Sequence, residues 1–165
     1  MHGDRATDET VSSAFKLAMR LHAANVCIVS AGAGEATNGM AITAATSFSA
    51  DPPSVLLCLN ESASLTERLE LETVFGLAIL GRGHEPVANA FSRKPSGLPR
   101  FEHGDWTLAP DAPPRLQDAV ANLACTVVRR LSYGSHVAII GRVDAVQLGP
   151  EGPSLIYRDR QYALA

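Results

Sequence analysis

The chain is poor in cysteine and in charge, and each shortage excludes something. Its 165 residues include three cysteines: Cys27, Cys58 and Cys125. They are far apart, odd in number and without CxxC spacing, so neither a disulfide framework nor a thiolate metal site is expected. Each lies in an apolar, strand-like run and is expected to pack in the core as a small hydrophobe. A reducing cytoplasm is the matching compartment. Five histidines (His2, His22, His84, His103, His136) make no HxxxH or HExxH pair, so no metal site is expected. Charged residues are 19% and the net charge is −3, which leaves no electrostatic footprint for nucleic acid. The short basic clusters, Arg129-Arg130 and Arg158 with Arg160, read as solvated strand ends. No apolar run approaches the roughly 20 residues that span a bilayer. The opening MHGDRATDET carries acid and lacks an apolar stretch, unlike a signal peptide. Neither GxxxxGK[ST] nor GxSxG occurs, which removes the P-loop and the nucleophile elbow of hydrolases.

A hydrophobic content of 46% supports a sizeable core, and the length fits one domain over residues 1–165, with 1–9 flexible. Residues 11–22 place Val11, Ala14, Phe15, Ala18 and Leu21 at helical spacing, behind Asp8 and Glu9, which suit a helix N-terminus. Strands are expected at 26–31, 40–49, 54–59 and 74–80, with Asp51-Pro52-Pro53 breaking the second. Ser64-Leu65-Thr66-Glu67 has capping-box spacing and predicts a helix over 64–72. A second short helix is expected at 86–92, with proline in its first turn. Residues 93–115 read as a long loop packed down by Trp106, and loops of that length often bind ligands. Residues 119–130 and 136–148 predict a long hairpin, and a last strand includes Leu155–Tyr157. Strands outnumber helices and short turns join them, so the fold expected is mainly β: a closed or half-closed antiparallel barrel with peripheral helices.

Gly32-Ala33-Gly34 is not a dinucleotide fingerprint. Thr37 stands where Gly or Ala is needed, and a strand follows instead of a helix; a hairpin turn is the better reading. The stretch that carries chemistry is NGMAITAATSFSADPPSVLLCLNESAS, residues 38–64. Thr43, Ala45 and Ser47 are expected on one face of a strand and Ala44, Thr46 and Phe48 on the other. Residues this small let a flat ring approach the backbone. Asn60, Ser62 and Ser64 lead into the expected helix start, where free amides favour an anion such as phosphate.

This stretch resembles the flavin reductase family with the FMN-binding split-barrel fold, the small reductase components of two-component flavin monooxygenases. The resemblance rests on Gly39-Met40 leading into TAATSFSADPPSVLLCLNESAS, on Phe91 in FSRK, and on Arg100-Phe101. It continues through Gly134-Ser135-His136, Gly141-Arg142-Val143 and the closing PSLIY with Tyr162. It runs from about Phe15 to Tyr162. Ala41 and Ala44 stand where hydroxyl residues are common in the family, and Ser135 replaces a frequent Asp.

The resemblance implies an antiparallel, Greek-key-like split barrel and an NAD(P)H:flavin oxidoreductase. That enzyme would use FMN or FAD, with NADH or NADPH as hydride donor, and would supply reduced flavin to an oxygenase. It also implies a homodimer, with no nucleic acid or membrane partner. By the same resemblance, Met40 and the backbone of Thr43, Ala44, Ala45 and Thr46 would line the flavin ring. Ser47, Asn60, Ser62 and Ser64 would lie near the ribityl chain or phosphate, Phe91 would flank the pocket, and His136 would face the nicotinamide. A flavin carrier without reductase activity, or a reductase of a ferric chelate or corrinoid, is the alternative.

Overall fold

The computed structural model describes residues 4–165, with side chains from Thr10 onward. The expected flexibility of 1–9 therefore falls on residues whose side chains lie outside that description. Helix α1 (Asp4–Leu21) leads into β1 (Ala24–Asn25), β2 (Cys27–Ala31), β3 (Asn38–Ile42), β4 (Ala45–Ala50), β5 (Pro53–Asn60) and β6 (Val74–Ile79). Then come α2 (Glu85–Ser92), β7 (Trp106–Thr107), β8 (Arg115–Leu116), β9 (Ala121–Tyr133), β10 (His136–Leu148), β11 (Leu155–Arg158) and β12 (Gln161–Leu164).

Seven strands form one antiparallel sheet in the order β3-β2-β6-β9-β10-β5-β4. Its two edge strands, β3 and β4, are joined by Thr43 and Ala44 alone. A flat sheet of that width would hold its edges roughly 29 Å apart, whereas the linker spans at most about 11 Å. The sheet must curl until its edges meet, and a barrel follows. Two apolar clusters fill it in. One, with Val29, Leu57, Leu59, Phe75, Val127 and Ile139, occupies the interior. The other, with Ile28, Leu80, Val87, Phe91, Phe101 and Leu155, lies where α2 and the 93–115 segment cover the sheet. Strand β2 serves both and is buried along its whole length. The antiparallel barrel with peripheral helices expected from the sequence is the architecture found.

Several local expectations need correction. The strand over 40–49 is two strands on opposite sheet edges, because the chain must turn the corner at Thr43-Ala44. In β4 Ala45, Thr46 and Ser47 keep a regular register, and a bulge between Ser47 and Ser49 takes Phe48 out of the alternation expected with Ala44 and Thr46. The helix over 64–72 shrinks to one 3-10 turn, Thr66–Arg68. Side chains fold the turn that precedes it: Asn60 Oδ1 accepts from Ser62 N–H at 2.9 Å, and Thr66 Oγ1 donates to Asn60 O at 2.8 Å. Ser64 makes no capping box; its Oγ accepts from Asn38 Nδ2 at 3.0 Å. Cys27 and Cys125 are buried as expected, but Cys58 is exposed. On β5 the inward positions belong to Val55, Leu57 and Leu59, so Cys58 points outward.

The Gly-Ala-Gly segment is a turn between paired strands, with Gly32 and Gly34 at φ +89° and +55°. The long hairpin turns through Gly134-Ser135, with Gly134 at φ +57°. The sequence reading missed β1 and β12, which flank β11 in a separate three-stranded sheet. Among the described residues no helix is long and apolar enough to cross a membrane.

Candidate functional site

Gly39, Met40 and Ala41 of β3 form the floor of a cavity of about 470 Å³. Ser62, Ala63, Ser64 and Leu65, in the turns after β5, make one wall. Phe91 and Ser92 at the end of α2, with Lys94, Ser96 and Arg100 from the loop beyond it, make the other. Sequence dictates each part. Gly39 is needed because a Cβ there would meet the Phe91 ring at 2.7 Å. Asn60 folds the serine turn over itself, its Oδ1 also accepting from Ser62 Oγ at 2.8 Å.

Arg100 ties down the loop wall through three main-chain carbonyls. Arg100 donates through Nε to Pro95 O at 3.1 Å, through one terminal nitrogen to Arg93 O at 2.6 Å, and through the other to Gly39 O. Burial lowers its pKa from the ordinary arginine value. Its donors go to main-chain carbonyls, so Lys94 is the lining residue that offers an exposed cation to a ligand.

Phe91 is 1% exposed and belongs to an aromatic cluster. Its ring meets Phe101 edge-on at 5.0 Å and Trp106 at 5.2 Å. Trp106 Nε1 donates to His103 O at 2.8 Å, so Trp106 packs the 93–115 segment down as expected.

The structure distributes the residues singled out from sequence over five places. Met40, Ser62, Ser64 and Phe91 line the cavity just described. Thr43 and Ala44 open onto a second cavity of about 480 Å³, between Phe15, Met19 and Arg20 of α1 and Tyr157–Arg160. Ala45, Thr46 and Ser47 line neither, and Thr46 and Ser47 lie exposed on the edge strand. Asn60 sits behind the serine turn as its organiser. His136 is exposed at the start of β10, in register with Asn60, with Ser135 Oγ 2.9 Å from its Nδ1. Because the 64–72 helix does not form, the expected helix N-terminus is absent there, and serine hydroxyls and Lys94 line the cavity instead. Sequence reasoning assigned no site role to Asn38, Lys94, Ser96 or Arg100. Lys94 and Arg100 lay in the loop flagged for its length. Among the described residues no group of three histidine, cysteine or acidic side chains is placed to hold a metal ion.

These features can be set beside known proteins. The reductase component of an FADH(2)-dependent resorcinol hydroxylase from Rhizobium sp. is 34% identical over 95% of this chain and 89% of its own. The reductase component of 4-hydroxyphenylacetate 3-monooxygenase from Thermus thermophilus is 35% identical over 92% of this chain and 95% of its own. The solved NADH:FAD oxidoreductase SgcE6 of Streptomyces globisporus, in complex with NAD and FAD fragments, superposes with a TM-score of 0.83 at 25% identity. That superposition covers 92% of this chain and 91% of the other. The flavin reductase like domain matches residues 19–164, nearly the whole barrel and both walls of the cavity. The chain belongs to the family defined by that domain.

Proposed function

We propose that this protein is an NAD(P)H-dependent flavin reductase that supplies reduced FMN or FAD to a partner oxygenase. The observation that carries the reading is the cavity on β3: a floor of small residues, two serine hydroxyls on one wall, Ser96 and Lys94 on the other. That donor set fits a flavin phosphate and ribityl chain. The relatives named above are reductase components or an NADH:FAD oxidoreductase.

A flavin bound there would supply the redox chemistry, as acceptor of a hydride from a nicotinamide. The chain's own residues bind and orient. Ser62, Ser64, Ser96 and Lys94 hold the phosphate end. Met40 lines this cavity and would meet the ring, while the backbone of residues 43–46, outside it on the β3–β4 join, is assigned to the ring by the family resemblance alone. Phe91, locked in its aromatic cluster, stiffens the floor beneath Gly39. Main-chain donors there would stabilise negative charge on a reduced ring, and holding two rings at reactive distance would remove much of the entropic barrier. No side-chain acid or nucleophile is required. His136, exposed at the same end of the sheet as Asn60, is assigned to the nicotinamide side.

We also propose a homodimer in the cytoplasm. In a single chain Phe15 on α1 is 62% exposed, and Leu131, Tyr133 and Leu148 of the long hairpin are 69%, 88% and 78% exposed. A second copy is the occupant that would cover apolar area on both elements. Three free cysteines suit a reducing compartment.

Steady-state oxidation of NADH and NADPH against added FMN and FAD tests the activity. Turnover that rises with free flavin supports it, and flavin binding without nicotinamide oxidation establishes a carrier instead.

A further inference from the structure

One buried side chain touches all three parts of the cavity. Asn38, the first residue of β3, is 4% exposed. Its Oδ1 accepts from Gly39 N–H at 2.8 Å, on the floor, and from Gly97 N–H at 3.0 Å, in the loop wall. Its Nδ2 donates to Ser64 Oγ at 3.0 Å, on the opposite wall. The three partners are separated by up to 58 positions in sequence, and no sheet ladder links the two walls.

A buried amide has strong reasons to keep such partners. A buried donor or acceptor left unmade is costly, so Asn38 has one low-energy orientation, and that orientation fixes both walls at once. Gly97 is at φ +86°, a conformation that glycine adopts without strain and that turns its N–H toward Asn38. Arg100 holds the same loop from its other end through Gly39 O, Arg93 O and Pro95 O. The loop that carries Lys94 and Ser96 is therefore pinned at both sides, and only the Asn38 pin reaches the serine wall.

We infer that Asn38 is a positioning residue that couples the serine wall (Ser62–Ser64) to the loop wall (Lys94–Gly97), setting the width of the cavity for the phosphate end of a flavin. The inference rests on the proposed reading of this cavity as a flavin site. Asn38 touches no reacting atom in that reading. Its loss lets the walls separate, so flavin affinity falls while the chemistry on bound flavin persists.

The test begins with wild-type protein, titrated with FMN and followed by flavin fluorescence. No binding and no nicotinamide oxidation in wild type would sink the flavin reading itself, whatever Asn38 does. Given binding, Asn38→Ala is expected to raise the FMN Kd about tenfold, the equivalent of one buried hydrogen bond, with kcat at saturating flavin within about twofold of wild type. In flavin-free protein, trypsin should cut the Arg93–Lys94 bond faster in Asn38→Ala. Asn38→Asp keeps both accepted bonds and should restore wild-type resistance. An unchanged Kd, or kcat falling in step with affinity, overturns the inference. Hydrogen exchange on wild type keeps it testable if Asn38→Ala does not fold: FMN should slow exchange in segments 60–65 and 94–98 together, and protection of one segment alone overturns it.

Discussion

Gly39 lies directly against the edge of Phe91, so that a Cβ at position 39 would stand 2.7 Å from Phe91 Cε1 and 3.2 Å from Phe101 Cζ. Neither ring can give way. Phe91 is held between Phe101 and Trp106, and those two meet each other edge-on at 5.0 Å. The floor of the cavity and the aromatic core are therefore one packed unit.

It follows that Gly39→Ala should cost about 1–3 kcal/mol of stability, the range for a core forced to accept an extra methyl. The same substitution should weaken flavin binding, because relief can come only from lifting β3 into the cavity. Denaturant titration and FMN titration of the variant check the two effects. A variant as stable as wild type would mean that the aromatic cluster is looser than its geometry implies.

The barrel was legible in the sequence because its strongest signals are local. Cys27–Ala31, Pro53–Asn60 and Val74–Ile79 are short apolar runs with clear boundaries, and the long hairpin announces itself by length and by Gly134-Ser135. The site was less legible because its residues act at a distance. Nothing near Ser64 in the chain says that Asn38 will claim its hydroxyl, and the capping-box spacing there argued for a helix where the chain makes only one 3-10 turn. The corner at Thr43-Ala44 was hidden for a similar reason. Only the strand order, set by long-range pairing, requires one apparent strand to become the two edges of the sheet.

Acid should unfold the protein partly through Asp144. Burial alone would raise this carboxyl, but hydrogen bonds from Thr126 at 2.6 Å and Arg142 at 2.7 Å, with the arginine's charge, outweigh it and hold the group below its ordinary 3.8. A carboxylate favoured by the fold contributes stability that is complete above its unfolded value and is lost as pH falls through the lower folded value. Solvent screening at so exposed a group keeps the effect small. Melting temperatures measured from about pH 5 down to pH 2 should fall more steeply for wild type than for Asp144→Asn. Parallel curves would remove Asp144 from the account.

The two interior cysteines should be chemically silent. Burial pushes the Cys27 thiol up to about 12, and at Cys125, burial aided by the charge of Asp144 does the same. At a pH of about 8 both remain neutral thiols without access to reagent. Alkylation of native protein, read by mass spectrometry, should be confined to Cys58, while denaturant should release all three. Early labelling of Cys27 would mean that β2 opens far more readily than a strand buried along its length should.

His136 is the residue on which the nicotinamide side of the proposed site can be judged. It lies outside the cavity on β3, exposed, with Ser135 as its hydroxyl neighbour at 2.9 Å. Its register opposite Asn60 puts it at the end of the sheet from which the serine turn departs. It does not line the cavity in which Ser62, Ser64 and Lys94 are assigned to the phosphate end of a flavin. If it meets the second substrate instead, His136→Ala should raise the KM for NADH about tenfold, the size of one lost polar contact, and leave the FMN Kd unchanged. Because the residue is exposed, the melting temperature should not move. Steady-state kinetics with NADH varied at saturating FMN, beside an FMN titration of the same preparation, separates the two. A raised flavin Kd with an unaltered NADH KM would reverse the assignment, and no change in either would strike His136 from the site.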